Sequence, residues 1–259
     1  MFNCDETGFN TQTKKTKVLV PVGRPANVLA PTEGKTNYSV LMCGNAAGDF
    51  TPPYVVYKGV EKSMPISWCL NGPPRAGYAT TPNGWMSIIS FNAWISFFDE
   101  YLKLKNIKKP VILLIDGCSS HVSLDIVLKA KDLGIILLKL PPNSSHVLQA
   151  HDVGVFAPCK KDWRTIIRQF YRESNNKNVT KSVFPVLLAK LFEEMVKKPE
   201  NLISGFRATG VWPINKQMML DKVNKRGLYR TVSNLPTPAE GEAPAEGEAP
   251  ADGQAPADG

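Results

Sequence analysis

A run of five apolar residues that ends in a carboxylate constrains this chain more than any other feature. The run is Val111–Ile115, and Asp116 follows it directly. Such a run predicts a strand buried on both faces of a sheet, with Asp116 at its C-terminal end. Ligands usually bind at that edge of an α/β sheet, and a charge there is costly unless something pairs with it. We therefore hypothesise that Asp116 shares a divalent metal ion with distant aspartates.

The segment after Asp116 predicts a second strand parallel to the first. Ser123 is suited to cap a helix that ends near Gly134. This helix is expected to turn three apolar residues inward: Leu124, Val127 and Leu128. Ile135–Leu140 then form another buried strand, and the order strand, helix, strand makes the two strands a parallel pair.

Short strands rich in β-branched and aromatic residues precede this unit. They are the residues before Asp5, then Val18–Val22, Tyr38–Cys43 and Tyr54–Tyr57. Only four residues precede Asp5, so the first strand looks cut short, and we expect the chain to start inside a domain. Residues 59–86 are predicted to be irregular. Antiparallel strands followed by a strand–helix–strand unit predict an α/β, RNase H-like fold with a mixed five-stranded sheet flanked by helices.

Helical periodicity predicts the remaining elements of a domain over residues 1–215. Ser90 is the expected N-cap of the first helix, and a long helix is expected to end near Glu173. Two more follow, over residues 182–197 and from Pro199 to a stop at Gly210. Residues 216–238 are interpreted as a basic linker. Residues 239–259 repeat Ala, Gly, Pro and acids with a period of six and are predicted to be disordered.

Composition favours a polyanionic partner. The formal net charge is +8, but residues 235–259 carry six of the 23 acids and no base, so the body holds 31 bases against 17 acids. Such a basic body indicates nucleic acid as the partner. The simpler alternative is that the positive charge only keeps the protein soluble. The five cysteines are scattered, which favours neither a zinc site nor a disulfide framework. No apolar run approaches the roughly 20 residues of a membrane span, so no membrane partner is predicted.

Three aspartates are predicted to meet at one edge of the sheet. In an RNase H-like sheet, the strands that carry Asp5 and Asp116 are neighbours, and the helix that starts at Asp152 packs across the same edge. Three close carboxylates repel one another, and a hard cation such as Mg²⁺ or Mn²⁺ removes that cost. Two ions could serve phosphodiester chemistry. Taken singly, each aspartate also has a structural reading, as a turn residue, a loop-start residue or an N-cap.

A basic stripe follows Asp152 along the predicted helix. Its four members step by four residues: Lys160, Arg164, Arg168 and Arg172. The stripe is either a solvated face or a surface that contacts DNA phosphates. No acids stand at the intervening i+4 positions, which favours phosphate.

Five ordered segments carry a resemblance to a known family. They are FNCDETGF, NGWMSIISFNAWISFFDEYL, VILLIDGCSSH, LKLPPNSSHVLQAHDVGVFAPCKKDWR and ISGFRATGVWPIN. Through them residues 1–215 resemble the DDE superfamily endonuclease domain, the transposase domain of pogo, Tigger and jerky-like elements in the mariner superfamily. The resemblance implies a catalytic carboxylate triad, DNA strand cleavage and joining, and a nuclear location. It also allows a homodimer.

The family's motif aspartates fall on Asp5, Asp116 and Asp152. The resemblance therefore implies that these three are catalytic and bind two Mg²⁺ or Mn²⁺ ions. His121 matches a common family histidine. The resemblance implies that it contacts phosphate or hydrogen-bonds to a metal ligand. A hydrogen bond within the core is the equally open alternative. The family segment before the third aspartate usually reads LQPLD. Here it reads LQAHD, which places the ring of His151 beside the expected metal site, where it would contact either phosphate or a metal ligand.

Two functions remain open from the sequence. One is a metal-dependent DNA endonuclease of the transposase type. The other is a catalytically silent, host-adopted DNA- or chromatin-binding protein of the jerky and centromere protein B type. An RNA-cleaving RNase H ranks last, because the chain lacks the usual pattern of four carboxylates.

Overall fold

The computed structural model describes residues 1–11, 22, 37–60, 64–117 and 123–225. A six-stranded mixed sheet lies at the centre of these residues, in the spatial order β4-β3-β2-β1-β5-β6. Its strands are β1 Phe2–Asn10, β2 Asn37–Asn45, β3 Tyr54–Lys58, β4 Gly77–Thr81, β5 Val111–Ile115 and β6 Ile135–Lys139.

Helices flank the sheet. They are α1 Ile88–Leu104, α2 Leu124–Asp132, α3 Ser145–Leu148, α4 Phe156–Glu173, α5 Phe184–Val196, α6 Pro199–Thr209 and α7 Lys216–Lys225. A 3₁₀ turn covers Ile66–Trp68, and a π-helical turn at His151–Val155 leads directly into α4. Within the described ranges, no helix is both long and apolar enough to cross a membrane.

The predicted α/β, RNase H-like arrangement is confirmed by the pairing of the strands. β1, β2 and β3 pair antiparallel in sequence order, and β5 and β6 are parallel to each other and to β1. β1 therefore lies between β2 and β5, so the first strand of the chain is a central strand. This is the neighbour relation that the sequence predicted for the strands of Asp5 and Asp116.

Two strands differ from the prediction. β1 has nine residues and Asp5 lies in its middle, whereas the sequence placed Asp5 at the end of a shortened strand. The strand continues because Thr7 and Phe9 are also buried and the whole length pairs with β2. The sixth strand, β4, lies in the region predicted to be irregular and pairs parallel with β3. The predicted strand Val18–Val22 falls outside the described residues, apart from Val22.

The alternation of side chains along β1 divides the core into two layers. Phe2 and Cys4 pack on the side of α1 and α2, with Phe98 and Ile126 among their cluster. Phe9 packs on the opposite side, where α4, α5 and α6 lie. Since side chains alternate in a strand, Asn3 and Asp5 point to the same side as Phe9. This side faces the π-helical turn and α4.

The βαβ unit has the predicted order but not the predicted faces. Ser123 caps α2 as expected, by accepting from the backbone N–H of Ile126. The residues that α2 buries are Ile126 and Ala130, while the three expected to face inward are exposed: Leu124, Val127 and Leu128. β6 is an edge strand, and its Ile136 and Leu138 are about half exposed, so it is not buried on both faces.

The ends of the helices give two further corrections. α1 is capped by Ser87, which forms a capping box with Ser90, so Ser90 is the third helical residue and not the cap. Gly210 ends α6 in the left-handed conformation, with φ of 74°, as predicted. The predicted linker begins with α7, whose Met218 N–H donates to Asn215 Oδ1. The rest of the linker and the repeats lie outside the described residues.

Candidate active site

The three predicted aspartates lie on three elements that meet at one side of the sheet. Asp5 is on β1, Asp116 directly follows β5, and Asp152 is in the π-helical turn before α4. β1 and β5 pair with Phe2 opposite Leu113 and Asn3 opposite Leu114. Two more steps in this register place Asp5 beside Asp116. Exposure increases from Asp5, which is buried, through Asp116 to Asp152.

The carboxylates influence one another's pKa. Burial, together with the negative charges of Asp152 and Asp116, raises the pKa of Asp5 to about 8, against one hydrogen bond from the backbone N–H of Glu6. The pKa of Asp152 is also raised, first by loss of water around its carboxylate and then by Asp116. The charges of Lys160 and His146 lower the pKa of Asp152, each by more than Asp116 raises it, but burial outweighs them. The three negative charges are therefore close enough to repel one another.

The chemistry of these donors fits a hard divalent cation. Carboxylate oxygens are the ligands that Mg²⁺ and Mn²⁺ prefer, and a cation relieves the repulsion that raises the pKa of Asp5. The three carboxylates do not, however, surround one common position. Within the parts of the chain that the structure describes, no group of three or more His, Cys, Asp or Glu side chains could hold one ion.

A buried polar network lies behind the carboxylates, and its central residue is not among those predicted from the sequence. Asn3 is fully buried on β1, and its Oδ1 accepts from the His151 backbone N–H at 3.1 Å and contacts His151 Nδ1 at 2.8 Å. Asn3 Nδ2 donates to the carbonyl oxygen of Leu114 on β5 at 3.3 Å. Gln149 adds a bond from its Nε2 to the carbonyl oxygen of Cys4 at 3.4 Å. Only the register of β1 against β5 reveals this network.

His151 does not contact phosphate at the surface, because its ring is fully buried. Burial lowers the pKa of His151 to about 3, so the ring is neutral near pH 7. Its Nε2 has no hydrogen-bond partner among the described residues. The ring lies behind the carboxylates, and its predicted contact with a metal ligand stays a prediction. His121 falls in the undescribed segment 118–122, so its predicted role stays a prediction.

The basic stripe lies on the exposed face of α4. The opposite face is buried in the core through Phe156, Cys159, Trp163 and Ile167. All four basic residues of the stripe are exposed: Lys160, Arg164, Arg168 and Arg172. Lys160 Nζ lies 5.7 Å from the centre of the Phe156 ring, and its charge lowers the pKa of Asp152. The stripe therefore starts beside the carboxylates and runs away from them along the helix.

Comparison with protein families gives one match over most of the chain. The model of the DDE superfamily endonuclease family matches residues 35–204. This range includes Asp116 and Asp152, and Asp5 lies outside it. In the fold, β1, which carries Asp5, pairs with β5, which Asp116 directly follows. Asp5 therefore lies beside the matched range.

Comparisons with individual proteins give more distant similarities. A Cochliobolus lunatus protein described as MFS-type transporter clz9 is 28% identical over 237 residues, which are 87% of this chain and 24% of that protein. The Mos1 transposase paired-end complex with left transposon end has a TM-score of 0.45 and 13% identity, over 78% of this chain and 54% of that chain. The catalytic domain of Mos1 mariner transposase has a TM-score of 0.39 and 10% identity, over 78% and 80%. This chain thus spans about a quarter of the first protein and about half of the second.

Proposed function

Because the chain belongs to the DDE superfamily endonuclease family, we propose that it cleaves and joins DNA strands as a metal-dependent domain of the transposase type. Asp5, Asp116 and Asp152 are its proposed catalytic residues and metal ligands. The observation that carries this proposal is that β1, β5 and the π-helical turn bring the three carboxylates to one side of the sheet. Burial and their mutual repulsion there raise the pKa of Asp5 to about 8.

The chain's own residues divide the work at this site. β1 and β5 are central strands of the sheet, so they hold Asp5 and Asp116 rigidly, while α4 and its π-helical turn present Asp152 from one side. Without a cation, burial and the charges of Asp152 and Asp116 raise the pKa of Asp5 and so favour its protonated form. When bound, two Mg²⁺ or Mn²⁺ ions supply activation of a water or a 3′-hydroxyl and stabilise the leaving oxygen.

DNA is the proposed partner and the nucleus the proposed location. The basic stripe on α4 supports the partner, because exposed Lys and Arg side chains neutralise phosphates without reading sequence. Its first member, Lys160, is close enough to Asp152 to affect its pKa. A DNA backbone that follows the stripe would therefore reach the carboxylates. A homodimer belongs to the same proposal.

A nicking assay on supercoiled plasmid tests the catalytic proposal. We expect relaxation that requires Mg²⁺ or Mn²⁺, and we expect Asp116→Asn to reduce its rate by about two orders of magnitude or more, since it removes a ligand charge. Asp132→Asn, an exposed carboxylate at the end of α2, is the matched control and should keep the wild-type rate. Equal nicking by wild type and Asp116→Asn would contradict the proposal.

One observation favours the second candidate function, a catalytically silent DNA- or chromatin-binding protein. No three donors in the described residues gather around a single ion. Calorimetric titration with Mn²⁺ separates the two functions. Saturable Mn²⁺ binding that Asp116→Asn weakens supports the endonuclease, whereas DNA binding without any saturable Mn²⁺ binding supports the silent protein.

A further inference from the structure

We propose that Asn3 is a positioning residue that fixes the three carboxylates relative to one another. The inference rests on the proposed function. Asn3 lies two residues before Asp5 on β1 and donates to the carbonyl oxygen of Leu114, two residues before Asp116. It also accepts from His151, the residue before Asp152. One side chain thus joins all three elements that carry the carboxylates.

The orientation of the Asn3 amide follows from its partners. The backbone N–H of His151 can only donate, so the atom of Asn3 that faces it is Oδ1. The carbonyl oxygen of Leu114 can only accept, so Nδ2 faces β5. Since Oδ1 also contacts His151 Nδ1, that nitrogen carries the ring proton. Every bond in the network therefore has a defined donor, and the neutral ring has one tautomer.

Asn3 replaces the cap that the π-helical turn lacks. Ala150 stands at the N-terminal end of the turn and offers no side-chain hydrogen bond. The first N–H groups of a helix need partners from elsewhere, and Asn3 Oδ1 accepts one of them, from His151. The bond from Gln149 to the carbonyl of Cys4 ties the preceding residues to the same strand. The position of Asp152 therefore depends on β1 and not on its own helix alone.

Burial makes this arrangement sensitive to a single substitution. Asn3 and His151 are both fully buried, so a lost partner leaves a polar group without water. Residues behind metal ligands typically change metal affinity or activity about 10–100-fold when they are replaced. A positioning role predicts a selective loss at the carboxylates, and a purely structural role predicts a general loss of stability.

The test compares two truncations with a conservative variant and a structural control. Asn3→Leu removes the hydrogen bonds to Leu114 and to His151 at similar volume. His151→Leu removes only the bond from the ring, since the backbone N–H of residue 151 still donates to Asn3, and His151→Asn keeps an amide N–H where Nδ1 stands. Thr209→Val is the control, because Thr209 is also fully buried and its hydroxyl donates to the Phe206 carbonyl within α6. Each protein is studied at a temperature at which it is folded. Calorimetry gives the Mn²⁺ affinity, plasmid nicking gives kcat and KM, and hydrogen exchange without metal follows residues 149–155.

We expect Asn3→Leu to weaken Mn²⁺ binding and to lower kcat, each about 10–100-fold, with KM for DNA unchanged. His151→Leu should have a smaller effect, because the backbone N–H of residue 151 still donates to Asn3 and the family segment LQPLD has Leu at this position. His151→Asn should recover most of the Mn²⁺ affinity, and Thr209→Val should keep the wild-type values. Mn²⁺ affinity and kcat in Asn3→Leu equal to those of Thr209→Val would overturn the inference.

Hydrogen exchange separates this inference from the proposed function. If the wild type binds no Mn²⁺, the proposed function fails, and exchange alone decides the role of Asn3. Faster exchange of residues 149–155 in Asn3→Leu, with the rest of the chain unchanged, supports positioning of Asp152. Exchange in that segment equal to the exchange in Thr209→Val overturns it.

Discussion

Asp99 on α1 and Asp5 on β1 are both buried carboxylates, but their neighbours push their pKa values in opposite directions. Burial raises the pKa of Asp99, yet hydrogen bonds and charges from Lys103 and Lys109 outweigh burial and lower it. At Asp5, burial acts together with the charges of Asp152 and Asp116, and the pKa rises to about 8. The first arrangement stabilises the fold, whereas the second leaves a repulsion that a cation can relieve.

The lowered pKa of Asp99 predicts how its contribution to stability depends on pH. Because the folded pKa lies below the unfolded value of about 3.9, the contribution is present above that pH and is lost as pH falls through the folded pKa. We expect Asp99→Asn to destabilise the protein by about 1–2 kcal/mol near pH 7, less than for a fully enclosed pair because both lysines reach solvent.

Urea unfolding as a function of pH measures this effect. The difference in free energy of unfolding between wild type and Asp99→Asn should decrease below about pH 4, where the carboxylate of the unfolded chain takes up a proton. Asp132→Asn should shift stability by no more than about 0.5 kcal/mol, because Asp132 is exposed. A difference for Asp99→Asn that stays constant from neutral to acid pH would contradict the assignment.

At the scale of elements, sequence periodicity predicted whether a segment is a helix or a strand. It was less successful at predicting which face of that element is buried. The apolar run of β5 and the spacing along α1 and α4 gave the correct elements, because burial on one stripe leaves a clear period. β4 was missed because its five residues stand among Gly and Pro turn signals. α2 carries apolar residues on two faces, and only the position of the helix against the sheet decides that Ile126 and Ala130 are inside.

The observed face of α2 gives a direct prediction. Ile126 is fully buried and Leu128 is about half exposed. We expect Ile126→Ala to lower the free energy of unfolding by about 2–5 kcal/mol, because it leaves a cavity between α2 and the sheet. Leu128→Ala should cost less than about 1 kcal/mol. Chemical denaturation of the two variants tests this prediction. A larger loss of unfolding free energy for Leu128→Ala than for Ile126→Ala would contradict it and support the buried face that the sequence predicted.

The contact between α6 and the π-helical turn allows no side chain at two glycines. A Cβ on Gly154 would lie 2.3 Å from the Asn201 carbonyl oxygen, and one on Gly205 would lie 2.4 Å from the Ala150 carbonyl oxygen. Both obstacles are backbone atoms, which cannot rotate away. Close packing of α6 therefore also holds the turn that carries Asp152.

We expect Gly205→Ala to destabilise the protein by about 1–3 kcal/mol, since the added methyl forces the two backbones apart. Its effect should extend to the site, with a lower nicking rate at a temperature at which the variant is folded. Gly59→Ala is the control, because its Cβ would make only ordinary contacts with Thr80 and Trp68. Thermal unfolding of both variants tests this, and equal melting temperatures for Gly205→Ala and wild type would show that the contact is looser than described.

At the scale of the molecule, the candidate site joins segments that are far apart in the chain. Asp5, Asp116 and Asp152 could be selected from the sequence, because each follows or interrupts an apolar pattern at a position where charge is costly. Asn3 could not be selected, since an asparagine on a strand has no signal until its neighbours are known. Its importance arises from the pairing of β1 with β5 and from the docking of residues 149–151, which are properties of the whole fold.

The basic stripe adds a property of the whole surface, the salt dependence of DNA binding. From Lys160 to Arg172 the stripe extends about 18 Å at 1.5 Å per helical residue, enough to span several phosphates. Each phosphate that a basic residue neutralises contributes about −0.9 to the slope of log K against log salt. If the four residues of the stripe contact the DNA backbone, replacing all four by Gln should reduce the slope by about 3 to 4.

Binding is measured by fluorescence anisotropy with EDTA and in the Asp116→Asn background, so that cleavage cannot affect it. The control removes the same number of charges elsewhere, through exposed lysines replaced by Gln: Lys105, Lys108, Lys131 and Lys190. Both variants change the net charge equally, so a general attraction between a basic protein and DNA predicts equal slopes. A direct contact predicts a smaller slope only for the variant of the stripe. Since DNA phosphates would then lie along α4 from Lys160 onward, the same result would bring a scissile bond within reach of Asp152.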